Sequence, residues 1–381
     1  MQASDSSDTL SMLRESAADF VRGSTDFKRL RERRGTLPGY DPSLARQMAD
    51  LGWFGILVPE ESGGLGLGFA EMACVLQALG RGLLADPLLP SAVLAARTLA
   101  LGANAELAAR RLPGIADASL LACVAWQEGN GGLDAAAIET RARADGAGAR
   151  LSGVKRFVAG AAGAGGFVVS ARSDAGPGLY WVDASAPGVS LRHEWRADET
   201  PSGVVEFDDV AVGADAVLQP AGPGGLAPLE RALDEAAVMA SAEMLGVTEA
   251  AFELALGYMR TRVQFGKPIG SFQALQHKAT DLYVQQELVR AVLDDAVRAL
   301  ADGTGAQERA MIASRCKARA SDAGLRVTRE CIQLHGAIGF TDEYDAGLYL
   351  KRALVLSGWL GNASAHRRRF GALARPPAAT P

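Results

Sequence analysis

What the sequence lacks narrows it first. No run of about 18 uninterrupted apolar residues occurs, the length a helix needs to cross a bilayer, so no membrane span is expected. Cysteine is scarce. Cys74, Cys123, Cys316 and Cys331 lie far apart and form no CxxC pair, which reads as buried, reduced thiols; no metal site is expected. A clustered basic surface is missing too. The net charge is −5, so nucleic acid is not an expected partner. Met1 to Asp8 is polar and acidic and lacks the basic-then-apolar order of a secretory signal, so a cytoplasmic location is expected. No internal repeat is visible.

What is present is apolar material in quantity. It makes up 48% of 381 residues, enough for a large core, and the length suits two or three domains. The first third reads helical. Leu10, Leu13, Ala17, Phe20 and Val21 carry helical spacing through Asp8–Arg33. Asp41-Pro42 supplies an N-cap and a first-turn proline for a helix to Leu51. Pro59 to Gly68 is too glycine-rich for regular structure, and helices follow over Phe69–Leu84 and Leu88–Leu101. The character changes near Ser119. Short β-type runs at Leu120–Trp126, Ile138–Ala144, Phe167–Ala171, Leu179–Val182 and Val204–Phe207 suggest a small sandwich or barrel. A linker at Pro220 to Pro228 leads to long helices over Leu229–Arg262, Phe272–Asp302 and Gly305–Leu334, with shorter ones near Ala346–Leu356 and Asn362–Leu373. Helices of about 30 residues run about 45 Å and fit an antiparallel bundle.

Three motifs narrow this order. Thr261 to Gln273 reads TRVQFGKPIGSFQ. Gln333 to Thr341 reads QLHGAIGFT, with Glu343-Tyr344 following. Gly52-Trp-Phe-Gly is followed by Val58-Pro-Glu-Glu-Ser-Gly-Gly-Leu-Gly66. In this order, over about the whole chain, they resemble the acyl-CoA dehydrogenase family. The resemblance implies an α+β multidomain fold: an N-terminal helical domain over 1–118, a central small β-sandwich or barrel over 119–222, and a C-terminal four-helix bundle over 223–381. It implies FAD as cofactor, an acyl-CoA substrate, an electron-transfer acceptor, and a homo- or hetero-tetramer built as a dimer of dimers.

Residues carry over one by one. Gly266 and Pro268 break the helix after Arg262, whose planar, permanently charged fork suits a phosphate. The family uses that arginine against the pyrophosphate of a neighbouring subunit's FAD; the plainer alternative is that Arg262 complements the helix C-terminal dipole. Phe265 and Gln273 belong to the same signature. Gln333 and Gly336 belong to the segment that touches the adenosine side of that FAD; the plainer alternative is a glycine-terminated helix. His277 and His335 read as packing or surface residues, and Arg367, Arg368 and Arg369 as a solvated helix face.

The sequence also departs from the family. The chemistry needs a carboxylate that removes the proton α to the thioester while hydride leaves the β-carbon. Counting from Glu343-Tyr344, that position is Leu360, in Trp359-Leu-Gly-Asn362. The other known location, on the first bundle helix, is Ala236. Glu235 is adjacent but about 100° around the helix, and Glu243 lies about 10 Å along it; Glu235 is the one candidate base. In the β segment, Trp126, Gln127 and Leu133 fall in the loop that cradles flavin and CoA, where Glu128, Gly132 and Asp134 match the family. Phe157 and Ala159 replace the flavin-facing Trp and Thr, so a hydroxyl donor is lost. The half of the site that serves the neighbour's FAD is kept, with Asn362 completing its positions, while the ring half is weakened and the base is gone. This residue set resembles the base-lacking subunit of bacterial heterotetramers that dehydrogenate steroid CoA esters. The alternatives are a self-sufficient flavoenzyme with a displaced base or oxidase-type chemistry, and a non-catalytic flavin-binding or assembly subunit.

Overall fold

The computed structural model describes residues 2–84, 86–129 and 132–375. In chain order the helices α1 (Gln2–Ser24), α2 (Phe27–Glu32), α3 (Pro42–Asp50), α4 (Phe69–Gly82), α5 (Ala96–Leu101) and α6 (Ala105–Ala116) come first. The strands β1 (Ala122–Ala125), β2 (Arg141–Asp145), β3 (Gly148–Ala159), β4 (Gly166–Ser173), β5 (Gly176–Asp183), β6 (Val189–Trp195), β7 (Pro201–Val212) and β8 (Val217–Gln219) follow. Then come α7 (Ala227–Thr261), the short hairpin β9 (Val263–Gln264) and β10 (Lys267–Pro268), α8 (Gln273–Ala301), α9 (Ala306–His335), α10 (Ala346–Gly358) and α11 (Ala363–Leu373). The order is the expected one, helices, then strands, then long helices. By contact the chain forms two units: residues 30–68 with 86–236, and residues 1–29 with 69–85 and 237–381.

Local sequence explains most boundaries. Asp41 caps α3 as expected, its Oδ1 accepting from the Ser43 amide at 2.9 Å, with Pro42 at the first helical position. The single helix expected over Asp8–Arg33 is two. The Thr25 hydroxyl donates back to the Val21 carbonyl, and Asp26 opens a new helix by accepting from the Arg29 amide at 3.0 Å. The segment Leu89–Ala95 is π-helical and passes into α5. Helix α6 was not foreseen, because Pro113-Gly114 reads as a stop; Pro113 instead sits near its end, and Asn104 caps its start through the Leu107 amide.

In the β-rich unit the strands form one mixed sheet in the order β6-β7-β3-β2-β4-β5-β8, with β1 added beside β4. The β1–β4 and β2–β4 pairs are parallel and the others antiparallel. The expected sandwich or barrel therefore takes the form of one sheet whose path does not close. Its buried face includes Leu151, Phe167, Val169, Tyr180, Val205 and Phe207. Strands β3, β6 and β8 escaped the sequence reading. Strand β3 carries Lys155 and Arg156 amid its apolar residues, β6 is a largely exposed edge, and β8 has three residues.

In the helix-rich unit, glycine sets the spacing of α4 and α7. A Cβ on Gly246 would lie 1.9 Å from the Gln77 carbonyl oxygen, and one on Gly80 would lie 2.3 Å from that of Glu243. The two backbones are in direct contact there. Glu249 joins three helices, accepting from Gln77, Arg81 and Arg290. No helix among the described residues is long and apolar enough to cross a membrane.

Candidate functional site

Each unit carries its own set of the positions named above. In the helix-rich unit Arg262 follows the last residue of α7. Its amide bonds to the Tyr258 carbonyl at 2.8 Å, and its own carbonyl accepts from the Ile269 amide at 2.8 Å, which pins both ends of the β9–β10 hairpin. The guanidinium is exposed and pairs with no carboxylate among the described residues. Phe265 is 92% exposed at the hairpin tip, with φ +53°; its ring meets that of Phe272 edge-on at 6.1 Å. Gln273 is exposed as the first residue of α8.

Gln333 is exposed in the last turn of α9, and Gly336 ends the helix at φ +66° with open space around it. Gly339 has the opposite reason to be glycine, since a Cβ there would lie 2.6 Å from the Ile332 carbonyl oxygen. His335 is buried between the rings of Tyr258 and Tyr344, each 4.7 Å away, and its Nδ1 donates to the Cys331 carbonyl. Burial lowers its pKa. It anchors the segment and faces no solvent, whereas His277 is exposed. A dinucleotide needs charged or amide donors against its pyrophosphate and room for close backbone approach. Arg262, Gln273, Gln333 and the bare backbone of Gly336 supply those chemical groups.

The base positions are plainly apolar. Leu360 is 1% exposed, and Ala236 is buried on α7. Asn362 caps α11 through the Ala365 amide. Glu235 is fully buried but engaged on both oxygens. Arg97 binds it two-pronged, at 2.8 and 3.2 Å, and Arg231 adds a contact at 2.9 Å. Two guanidinium groups stabilise a carboxylate as a charge and occupy the lone pairs a base would use. Glu243 is likewise buried and holds Arg352 at 2.6 Å.

In the β-rich unit Trp126 and Gln127 are buried, and Leu133 is half-buried. The Gln127 side chain donates to the Gly132 carbonyl at 3.1 Å, while its own carbonyl accepts from the Arg156 amide. The matched Glu128 has a partner the sequence did not reveal. Lys155, fully buried, reaches its Oε1 at 2.5 Å and also contacts Ser170 Oγ at 3.0 Å. Glu128 further accepts from the Glu139 amide and from the amide and hydroxyl of Thr140, which closes the base of the loop. Burial pushes the Lys155 ammonium down to about 8 against the pull of Glu128. Burial opposes ionisation of Glu128, yet Lys155, Thr140 and Glu139 together hold its pKa below the usual range. Ala159 is buried and offers no donor. Phe157 lies in a β-bulge between Lys155 and Val158, with φ +57° and the Arg156 guanidinium 5.0 Å from its ring.

A pattern links the two sets. Among the described residues, seven other than glycine have positive φ, and three of them are Phe157, Phe265 and Leu360. An L-residue held there costs on the order of 1–2 kcal/mol, and such strain gathers where a site dictates the backbone. Lys155, Lys317, Arg352 and His366 are among the buried polar residues that the sequence did not mark. Only Lys155 left a trace, two residues before Phe157.

Comparison with known proteins gives one answer along the whole chain. The domain descriptions "Acyl-CoA dehydrogenase" N-terminal, middle and C-terminal match residues 7–119, 123–210 and 224–373. Acyl-CoA dehydrogenase IpdE2 of Mycobacterium tuberculosis is 33% identical over 343 residues, 90% of either chain. A variant of the Tcur3481-Tcur3483 steroid ACAD superposes with TM-score 0.87 at 35% identity, over 97% of this chain and 98% of that one. The ChsE4-ChsE5 complex of Mycobacterium tuberculosis superposes with TM-score 0.88 at 28% identity, again over 97% and 98%.

Proposed function

Because the chain belongs to the acyl-CoA dehydrogenase family, we propose that it is the base-lacking subunit of a hetero-oligomeric, FAD-dependent acyl-CoA dehydrogenase. The reaction class is oxidation of a CH–CH group in an acyl-CoA thioester. A bound flavin supplies the hydride acceptor for the β-carbon. This chain contributes Arg262, Gln273, Gln333 and Gly336 toward a neighbouring subunit's dinucleotide. Removal of the α-proton falls to a carboxylate of a partner chain. Electrons then pass to an electron-transfer acceptor.

The observation that carries this reading is the state of the base positions. Leu360 and Ala236 are buried and have no proton chemistry, and Glu235 is clamped by Arg97 and Arg231. A displaced base at Glu235 would first have to leave both guanidinium groups, which leaves charge uncompensated in a buried place. We read Glu235 as an anchor of α7. The substrate we propose is a bulky CoA ester of the steroid class. Support comes from the similarity to a steroid ACAD with two named components and to the ChsE4-ChsE5 complex.

The test is anaerobic titration of purified protein with a panel of acyl-CoA esters, read as flavin bleaching. The chain alone is expected to bleach with none. The chain co-expressed with a family member bearing a glutamate at a base position is expected to co-purify with it and to bleach with a polycyclic ester. Bleaching by the chain alone, lost in Glu235→Gln, would establish a self-sufficient enzyme instead. A colourless chain that only raises its partner's flavin occupancy would establish an assembly subunit.

A further inference from the structure

We propose that Lys317 and His366 are positioning residues that lock the Trp359–Asn362 turn in its left-handed bend, so that Leu360 is held buried at the position where the resemblance places a carboxylate. The inference deepens the function proposed above and rests on it for the meaning of the Leu360 position. The clamp itself rests on geometry within the helix-rich unit.

The turn needs holding. Leu360 has φ +59° and Gly361 φ +95°, and only the second is a residue that adopts such a value freely. The turn also follows the end of α10, where helix carbonyls lack intrahelical partners. Three carbonyls of this region receive a buried side-chain donor. Lys317 Nζ donates to the Leu356 carbonyl at 2.8 Å and to that of Gly361 at 3.0 Å. His366 Nε2 donates to the Leu360 carbonyl at 2.8 Å.

Both donors are committed. Lys317 Nζ also reaches Ser321 Oγ at 3.1 Å, so the amino group has three oxygens around it, while burial pushes its pKa down to about 7. Lys317 and His366 are each 1% exposed. A carbonyl can only accept, so His366 carries its proton on Nε2; its buried Nδ1 has no partner among the described residues. Burial pushes His366 down to about 4, which keeps the ring neutral. No carboxylate among the described residues pairs with Lys317. An ammonium buried without a counter-ion is costly unless oxygens surround it, and the negative end of α10 adds to their effect. Neither residue is placed for proton transfer, because the hydrogen bonds of both go to main-chain carbonyls of the turn and, for Lys317, to Ser321 as well.

Hydrogen–deuterium exchange in the purified chain, with whatever flavin it retains, tests the clamp, read at the Trp359 and Gly361 amides, which bond to Val355 and Gly358. Lys317→Met and His366→Leu are expected to speed exchange there by tenfold or more. His366→Gln keeps a donor near the Leu360 carbonyl and should restore protection. Leu360→Gly added to Lys317→Met should restore it too, since glycine takes the bend without strain. Exchange that rises equally along α9, α10 and α11, with no rescue by either change, would reduce Lys317 to a core-packing residue and overturn the proposal. Unchanged exchange in His366→Leu would overturn it as well, even should Lys317→Met fail to fold. The exchange measurement does not depend on a partner chain, so absence of a co-purifying partner would sink the function proposed above and leave this result standing.

Discussion

Arg262 is the residue on which flavin retention should turn. Its guanidinium is exposed and pairs with no side chain among the described residues, so its loss removes no internal contact there. Arg262→Ala is expected to leave the melting temperature of the flavin-free chain within about a degree, as for other exposed changes outside special sites. It should lower flavin content after dialysis several-fold, with Arg262→Lys intermediate because an ammonium binds phosphate as a point charge without the fork. Absorbance at the flavin band against total protein measures it, and full retention in Arg262→Ala would remove the dinucleotide role. At this scale the sequence was informative in one direction. Counting from motifs singles out Leu360 and Ala236, and both are buried and apolar. The engagement of Glu235 by Arg97 could not be found that way, since 138 positions separate the two. Nothing local marks Lys317 or His366 as buried donors; only their three-dimensional neighbours do.

Among the elements, strand β3 deserves the closest test. It carries Lys155 to Glu128 at the base of the loop that starts after β1, and both side chains are buried. Lys155→Met leaves Glu128 buried without its cation and is expected to cost about 3–5 kcal/mol in denaturant unfolding of the β-rich unit. Glu128→Gln in the same background should recover part of that loss. The pH dependence follows from the lowered pKa of Glu128. A carboxylate titrating lower in the folded state contributes stability that is present above its unfolded value near 4.5 and disappears as pH falls through the folded value. The wild type should therefore lose stability more steeply below pH 4.5 than Glu128→Gln does. Identical acid profiles would show that the pair contributes nothing. The same strand shows why the sheet was only partly legible. Lys155 and Arg156 interrupt the apolar alternation of β3, and the bulge at Phe157 shifts its phase. Strands β4, β5 and β7, with short, mostly buried apolar runs, were legible; the edge strand β6 has no buried residue to announce it.

For the molecule as a whole, the arrangement of elements followed from the sequence because long periodic helices and glycine-punctuated strands differ in repeat length. The grouping into units did not. Helices α1 and α4 belong with the distant α8 to α11, through close approaches such as Gly246 against Gln77 that no local pattern reveals. Assembly is a whole-molecule property with its own expected signature. If Arg262 serves a neighbour's dinucleotide, flavin retention must depend on protein concentration, since dissociation separates the two halves. Dilution from micromolar to nanomolar should release flavin with a midpoint that matches subunit dissociation in sedimentation. A midpoint independent of concentration would place the whole dinucleotide within one chain.

The hairpin between α7 and α8 carries a consequence for how the protein assembles. An uncovered phenyl ring at the end of a two-strand finger, with Val263 beside it at 54% exposure, is a surface that water tolerates poorly and other proteins find adhesive. If the chain assembles as proposed, burial of that tip against a neighbour would remove the exposed apolar pair, so mutating Phe265 to a polar residue should weaken self-association without lowering the stability of the isolated chain.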